Sequence, residues 1–172
     1  LSLTIYAEYD SGWLKQHAWA LNLVVAAIAF YHYKKAGFFN LKLTLPFILG
    51  SIPFAIIGGY LRVDGVFYDT LLSITLIWAA YKLLQIKEVY SETKIEVPGL
   101  RYTIPIGGGV GLMSGMIGVG GGIFLSPILL LKKWADPKTA AATAALFIWV
   151  NSIAGLVGAG ISGQLVIQMD VL

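Results

Sequence analysis

Long apolar stretches separated by short polar ones dominate the chain. Residues 17–33, 41–61 and 66–84 each approach the length of about 20 residues that a helix needs to cross a bilayer. The stretch 85–101 is polar, carries both signs of charge and contains a Pro-Gly pair, which is typical of an exposed loop. The pattern therefore predicts three membrane-spanning helices and a loop that joins them to a second half.

The second half is apolar from residue 102 to 131 and again from 139 to about 163. As one straight helix, 102–131 would be about 45 Å long, which exceeds the roughly 30 Å of a bilayer core, yet it is too short for two full spans. Four glycines fall within 118–122, and each is about 1 kcal/mol less favourable in a helix than alanine. We therefore expect two half-helices, either stacked as an interrupted span or folded back as a re-entrant hairpin.

The charges distinguish the two arrangements. With five full spans, the 12 Lys and Arg residues divide seven against five between the two sides of the membrane. With a hairpin, Lys132, Lys133 and Lys138 join the larger group, and only Lys15 and Arg62 remain opposite. The positive-inside rule therefore favours the hairpin and predicts that the basic loops lie on the cytoplasmic side.

Composition places the chain in the membrane. Hydrophobic residues make up 58% and charged residues 12% of the sequence, against a charged fraction of about 25% in soluble domains. The net charge of +3 is explained by basic residues between the spans, so no nucleic-acid partner is expected. The chain has no cysteine and shows no nucleophile paired with a base, no paired carboxylates and no cluster of metal ligands. We therefore expect no catalytic residue, no metal and no cofactor.

The glycine segment 118–122 has two interpretations. Non-helical backbone at membrane depth occurs only where protein or a water-filled cavity satisfies its polar groups. A half-helix that begins after the glycines would direct its N–H groups and positive end into such a cavity, as discontinuous helices do in secondary transporters. Glycines also allow helices to pack closely, which better explains Gly107, Gly111 and Gly115, spaced by four. The contiguous spacing of 118–122 favours a functional break.

Two motifs resemble a known family. "GMIGVGGGIFLSPILLL" (115–131), followed by "AAATAALFIWVNSIAGLVG" (140–158), resembles the second-repeat signature of the TauE/SafE family of sulfite and organosulfonate permeases. Residues 20–39, 45–59 and 71–84 are similar to the first repeat after its own glycine segment. The resemblance implies an all-α, polytopic transmembrane helical bundle with two repeats, one glycine-broken helix and a small anionic substrate.

The resemblance also implies boundaries and site residues. Residues 1–84 would form the first repeat, 85–101 the connecting loop and 102–172 the second repeat. In the family each repeat opens with a glycine segment and continues into three spans, so we expect a further glycine segment before residue 1 and about two spans after residue 172. The residues carried over to the substrate site are Gly118, Gly120, Gly121, Gly122, Pro127, Asn151 and Ser152.

Asn151 and Ser152 are the polar side chains most expected to face the site. An amide and a hydroxyl in an apolar span are costly unless they are satisfied. The alternative is a helix-to-helix hydrogen bond, worth about 0.6 kcal/mol in membrane proteins, and both interpretations stay open here. Asn22 and Thr143 are weaker candidates of the same kind.

The function that follows is a secondary transporter, a multi-pass permease of the cell inner membrane that moves a small anion, with sulfite or an organosulfonate implied by the resemblance. No charged residue falls in the middle of a predicted span, so we expect neutral side chains and backbone N–H groups to set selectivity. A coupling ion, a proton or sodium, would then be bound elsewhere, or the substrate would carry the proton. The alternatives are an anion channel, which would not show saturable counterflow, and a non-transporting membrane scaffold, in which the glycines only pack.

Overall fold

Helices account for all the regular secondary structure in the described part of the chain. The structure, a computed structural model, describes residues 11–61, 65–84 and 98–163. The helices are α1 (Ser11–Lys35), α2 (Leu41–Tyr60), α3 (Gly65–Leu84), α4 (Leu100–Ile117), α5 (Gly122–Leu131) and α6 (Pro137–Ile161). The predicted all-α fold with a glycine-broken segment is confirmed.

Polar side chains fix where two of the helices begin. The side chain of Asn40 accepts a hydrogen bond from a backbone N–H in the first turn of α2. The carboxylate of Asp136 accepts from the N–H groups of Lys138 and Thr139, and Pro137 occupies the first position of α6. Partial burial raises the pKa of Asp136, but these bonds and one from the Thr139 hydroxyl outweigh it, so the pKa lies below its usual value. Both residues are N-caps, which satisfy N–H groups that a helix leaves unpaired.

Helices α2 and α4 run parallel with their backbones in direct contact. Three glycines of α4, spaced by four, lie in order against successive turns of α2: Gly107 against Phe47, Gly111 against Ser51 and Gly115 against Ala55. A side chain on any of them would strike a backbone carbonyl of α2. Small residues at this spacing allow such an approach, so the packing interpretation of these three glycines agrees with the structure.

Helix α6 packs on another face of α2, also in the parallel direction. Near the start of both helices, the hydroxyl oxygens of Thr44 and Thr143 are 3.0 Å apart and share a hydrogen bond. Near their ends, Gly59 lies against the backbone of Gly155, and Gly158 lies against that of α2. Thr143, a weaker candidate for the substrate site, therefore joins two helices instead.

The chain reverses direction between α4 and α5. Gly121, immediately before α5, lies beside Ser114 in the last turn of α4. Further along, the rings of Trp134 and Phe47 pack with centroids 6.2 Å apart, and Phe47 is the residue that Gly107 contacts. The chain has thus returned toward the level at which α4 began. This is the hairpin that the charge distribution favours, and the interrupted span does not occur.

As a result of the hairpin, most of the described basic residues lie at one end of the bundle. Helices α1, α3 and α5 run opposite to α2, α4 and α6, so the α1–α2 loop and the start of α6 share an end. There the Lys138 ammonium lies 4.7 Å from the centre of the Phe38 ring. The same end holds Lys34, Lys35, Lys42, Lys82, Arg101, Lys132 and Lys133. Lys15 lies toward the other end, and the predicted positions of Arg62, Lys87 and Lys94 fall outside the described residues.

The helices agree with a helical membrane protein. The predicted spans correspond to α1, α2, α3 and α6. Helices α2 and α6 are both long and apolar enough to cross a bilayer, and α1 and α3, with 25 and 20 residues, have the length but less apolar character. Large apolar side chains stay exposed on the outward faces, for example Leu21 and Val25 of α1, Leu49 of α2 and Ile77 of α3. Such surfaces suit lipid or further protein.

Replacement of Gly111 by alanine tests the backbone contact between α2 and α4. A Cβ at this position would lie 2.5 Å from the carbonyl oxygen of Ser51, so the two helices must separate. We expect Gly111→Ala to destabilise the protein by about 1–3 kcal/mol, measured as a lower unfolding temperature in detergent.

Gly109 is the matched control, because a Cβ there would meet no described atom within 4 Å. Alanine favours a helix over glycine by about 1 kcal/mol, so Gly109→Ala should leave the unfolding temperature unchanged or raise it. Equal effects of the two substitutions would show that α2 and α4 do not touch along the Gly111 face.

Candidate functional site

Residues 118–121, called the glycine break below, separate the two helices of the hairpin. Gly118 ends α4 with φ +84°, Gly120 has φ +76°, and Gly121 precedes α5 with φ +78°. Side chains rarely tolerate this left-handed conformation, and glycine adopts it without steric cost. Three glycines are therefore required for the reversal itself. Gly122 is already the first residue of α5.

Helix α1 covers one side of the break. The backbone and side-chain stem of Lys15 lie against Gly118, so that a Cβ on Gly118 would approach the Lys15 Cα within 3.0 Å. Two turns further along α1, the Asn22 amide nitrogen lies 3.5 Å from the carbonyl oxygen of Gly118, to which it donates a hydrogen bond. The same amide nitrogen lies next to Gly120. Asn22, a weaker candidate from the sequence, is thus a direct neighbour of the break.

Helix α6 also contacts the break. Ile148 lies against Gly120 and Gly122, and the Phe147 ring lies against Gly121. Ile148 occupies the middle of the 25-residue helix α6, as Asn22 does in α1. The ten residues of α5 rise about 15 Å, which is half of a bilayer core. The break therefore lies deep in the bundle.

Helix α5 begins immediately after the break. Its N-cap is Gly121, which has no side chain to cap the helix. The Gly121 carbonyl accepts hydrogen bonds from the N–H groups of Phe124 and Leu125, both at 3.1 Å. The first N–H groups of a helix have no partner inside it, and they carry the positive end of the helix dipole. An uncapped helix start at this depth is suited to an anion.

Four buried polar atoms near the break have no hydrogen-bond partner within the described part of the chain. We call their residues the polar cluster: Trp19 (Nε1), Ser114 (Oγ), Asn151 (Oδ1) and Ser152 (Oγ). An unpaired buried polar group costs about 1–3 kcal/mol, and folded proteins contain few of them. Several in one region therefore require an explanation.

Helix geometry places the polar cluster around the break. Ser114 contacts Gly121 directly, since a Cβ on that glycine would lie 3.2 Å from the Ser114 Cβ. Residues four apart share a helix face, so Asn151 follows Phe147 and Ser152 follows Ile148 on the faces that meet the break. Trp19 lies one turn beyond Lys15 on α1, where its ring fills the space left by Gly155.

The hydrogen bond of Asn151 lies within its own helix. Its amide nitrogen donates to the carbonyl oxygen of Phe147 at 2.8 Å. Neither Asn151 nor Ser152 makes a helix-to-helix hydrogen bond to a described residue. Of the two interpretations left open by the sequence, interhelical bonding is therefore not what the structure has. Both side chains are fully buried.

Pro127 lies apart from the polar cluster. It lines an apolar groove of about 410 Å³ between α1, α5 and α6, together with Gly122 and Asn22. Gly122 lies at the end of the groove that adjoins the break. The groove therefore brings Pro127 into the surroundings of the break without direct contact with Ser114 or Asn151.

Sequence reasoning missed Lys15, Trp19 and Ser114. The predicted first span began at residue 17, which left Lys15 in a flanking segment, whereas α1 already includes Ser11 and Lys15 is 2% exposed. The Lys15 ammonium lies 5.9 Å from the centre of the Tyr68 ring, and the Tyr68 hydroxyl donates to the Ile117 carbonyl at 3.1 Å. A buried lysine therefore lies beside the break, and the prediction that neutral side chains and backbone N–H groups set selectivity stays a prediction.

Comparison with known proteins identifies relatives of the chain. The family model described as "Sulfite exporter TauE/SafE" matches residues 16–171. The "Probable membrane transporter protein y4hK" of Sinorhizobium fredii (strain NBRC 101917 / NGR234) is 32% identical over 149 residues, which is 85% of this chain and 60% of that protein. The chain thus spans about 60% of the length of this relative. No solved structure matches the chain.

Replacement of Ser152 by alanine tests whether its hydroxyl is bonded within the fold. Because that hydroxyl has no described partner, its removal should leave the unfolding temperature unchanged or raise it. Thr143→Ala is the matched control on the same helix, since it removes the bond to Thr44 and should lower the unfolding temperature by the equivalent of about 0.6 kcal/mol. A loss for Ser152→Ala as large as for Thr143→Ala would assign Ser152 a structural role.

Proposed function

The chain belongs to the sulfite exporter TauE/SafE family, and on this premise we propose that it carries the binding site for a small anion in a secondary membrane transporter. Sulfite or an organosulfonate is the substrate that family membership favours. The protein would be a multi-pass permease of the inner membrane. The basic end of the bundle, with Lys132 and Lys133, would face the cytoplasm.

One observation carries this proposal: the uncapped start of α5 at Gly121 lies against Ser114, whose buried hydroxyl has no partner among the described residues. Hydroxyl and indole donors in a region of low dielectric interact strongly with a negative charge. A bound oxyanion would accept hydrogen bonds from Ser114, Ser152 and the first N–H groups of α5. The free-energy cost of leaving those donors unpaired would be recovered on binding.

The position of the break suits alternating access. In many secondary transporters the substrate binds near the bilayer midplane, where discontinuous helices direct half-helix N-termini at anionic groups. The break adjoins Asn22 and Ile148, in the middle of α1 and α6. A proton or a sodium ion would couple transport to a gradient. No chemical step on the substrate is part of the proposal.

A scaffold role explains less of the geometry. Packing accounts for Gly107, Gly111 and Gly115, which lie in a helix against a neighbouring backbone. It does not account for Gly118 and Gly121, whose positive φ values reverse the chain beside buried polar atoms without partners among the described residues. The proposal therefore rests on the glycine break. The three glycines within α4 are explained by helix packing alone.

Sulfite-dependent thermal stabilisation of the full-length protein tests the proposal. A ligand that binds only the folded state raises the free energy of unfolding, by about 2.7 kcal/mol at 100 times its Kd. We expect sulfite to raise the unfolding temperature of the parent and to have no such effect on Gly121→Ala, because the new Cβ would meet Phe147 at 2.7 Å and restrict the positive φ.

Two controls keep the result interpretable. Gly109→Ala, on the exposed face of α4, should keep the full sulfite response. Ser114→Ala is a smaller change at the break and should weaken the response even if Gly121→Ala fails to fold. A full response in a folded Gly121→Ala variant would place the anion elsewhere.

A further inference from the structure

A second open groove, called the α3–α5 groove below, lies between α3, α4 and α5. It has a volume of about 420 Å³ and an apolar lining that includes Trp78 of α3, Ile106 of α4 and Ile128 of α5. The hydroxyl of Thr75, which also lines it, is bonded to a carbonyl of its own helix. Gly109 forms part of the wall, and a Cβ there would meet no described atom within 4 Å. The groove therefore offers a ligand mostly apolar surface.

The α3–α5 groove extends from the level of the glycine break toward the basic end of the bundle. Its inner end is at Phe124, in the first turn of α5, whose ring packs on that of Trp78 with centroids 6.3 Å apart. Lys132 follows the last residue of α5, about 12 Å beyond Phe124 at 1.5 Å per residue. Half of a bilayer core is about 15 Å thick. An apolar chain in the groove would therefore lie beside the acyl chains of one leaflet.

Basic residues continue the helix faces that line the groove. Lys82 follows Trp78 by four residues on α3. Lys132 follows Ile128 by four residues at the end of α5. Residues four apart share a helix face, so each lysine lies one turn beyond a lining residue. Lys132 is exposed and Lys82 is partly exposed. The groove thus leads to two ammonium groups at the basic end.

The surroundings of these lysines favour a negative charge. Tyr102 is exposed on α4, one turn before Ile106, and brings a hydroxyl to the same end of the groove. Asp136 is the described carboxylate at this end of the bundle, and its oxygens accept hydrogen bonds at the start of α6. A phosphate beside Lys82 and Lys132 would be attracted by both ammonium groups and could accept a hydrogen bond from Tyr102.

We propose that the α3–α5 groove binds an anionic phospholipid, with one acyl chain between the three helices and the phosphate beside Lys82 and Lys132. The site is separate from the glycine break and goes beyond the proposed function. Basic pockets between membrane helices bind the head groups of anionic lipids. The positive-inside rule accounts for basic residues at this end, but it does not account for an open apolar groove that ends at two of them.

The charge of the head group should determine the affinity. Each basic residue close to an anionic lipid surface strengthens binding about fivefold. Phosphatidylcholine also carries a phosphate, but its choline group cancels the charge. Two lysines should therefore make phosphatidylglycerol bind about 20-fold more tightly than phosphatidylcholine.

Quenching of Trp78 fluorescence by brominated lipids tests the proposal, because bromine on an acyl chain quenches an indole ring that it contacts. The purified full-length protein is reconstituted in phosphatidylcholine vesicles that contain brominated phosphatidylglycerol or, at the same fraction, brominated phosphatidylcholine. The signal of Trp78 is the difference between the parent and Trp78→Phe, which keeps a ring beside Phe124. We expect the relative binding constant to favour phosphatidylglycerol about 20-fold.

Two pairs of substitutions test the lysines. Lys82→Gln combined with Lys132→Gln should bring the two lipids to about equal binding, since both ammonium groups are removed. Lys35→Gln combined with Lys42→Gln is the matched control, because it removes the same charge at exposed positions of α1 and α2. The control pair should keep the preference. Loss of the preference in both pairs would assign it to the overall charge of the basic end and overturn the proposal.

Gly109→Leu tests the position of the acyl chain. The Cβ has open space, so the variant should fold, and the leucine side chain would occupy the groove. The preference for phosphatidylglycerol should then be lost although both lysines remain. A preference retained by folded Gly109→Leu would overturn the proposal, and the lysine pair decides the matter if this variant does not fold.

Three further outcomes would also overturn the proposal. Quenching by neither lipid would show that other parts of the full-length protein cover the groove. Equal quenching by both lipids would show that Trp78 faces bulk bilayer. Reversal of the quenching by soluble glycerol 3-phosphate would show that the lysines bind a phosphate without an acyl chain. None of these results bears on the sulfite response at the glycine break, which is measured independently.

Discussion

The backbone of α2 is in direct contact with the backbones of α4 and α6, and this contact determines where the glycine break and the polar cluster lie. Gly107, Gly111 and Gly115 bring α4 onto α2, and Gly158 brings α6 onto another face of the same helix. With α4 and α6 held in this way, the segment that follows α4 meets α1 and α6, where Gly118 contacts Lys15 and Gly120 contacts Ile148. The reversal of the chain therefore takes place inside the bundle, where backbone polar groups must find partners.

The surroundings of the break divide into satisfied and unsatisfied groups. Asn22 donates to the Gly118 carbonyl, and the N–H of Gly118 donates to the Ser114 carbonyl, so the backbone at the end of α4 is paired. The four atoms of the polar cluster have no hydrogen-bond partner among the described residues, and no side chain caps the start of α5. Local hydrogen bonds thus satisfy the backbone polar groups where the chain reverses. The polar atoms of nearby side chains remain available to a ligand.

The sequence predicted the parts of the fold that depend on composition and periodicity. The four-residue spacing of Gly107, Gly111 and Gly115 predicted close packing, and the distribution of Lys and Arg predicted the hairpin. It did not predict which helix faces meet. In helices that are apolar on every side, no stripe marks the buried face, so Ser114 and Trp19 could not be told from other residues of their spans. Lys15 was missed because a boundary at residue 17 excluded it, and the orientation of the Asn151 amide depends on a bond to Phe147 that no pattern encodes.

The central claim is that an anion binds between the start of α5 and the polar cluster. Anomalous diffraction from crystals of the full-length protein soaked with selenite, whose pyramidal shape matches that of sulfite, locates the ligand directly. The account predicts a selenium peak within hydrogen-bonding reach of Ser114, Asn151 and the N–H groups that follow Gly121. A peak confined to the groove beside Pro127, or outside the bundle, would contradict it.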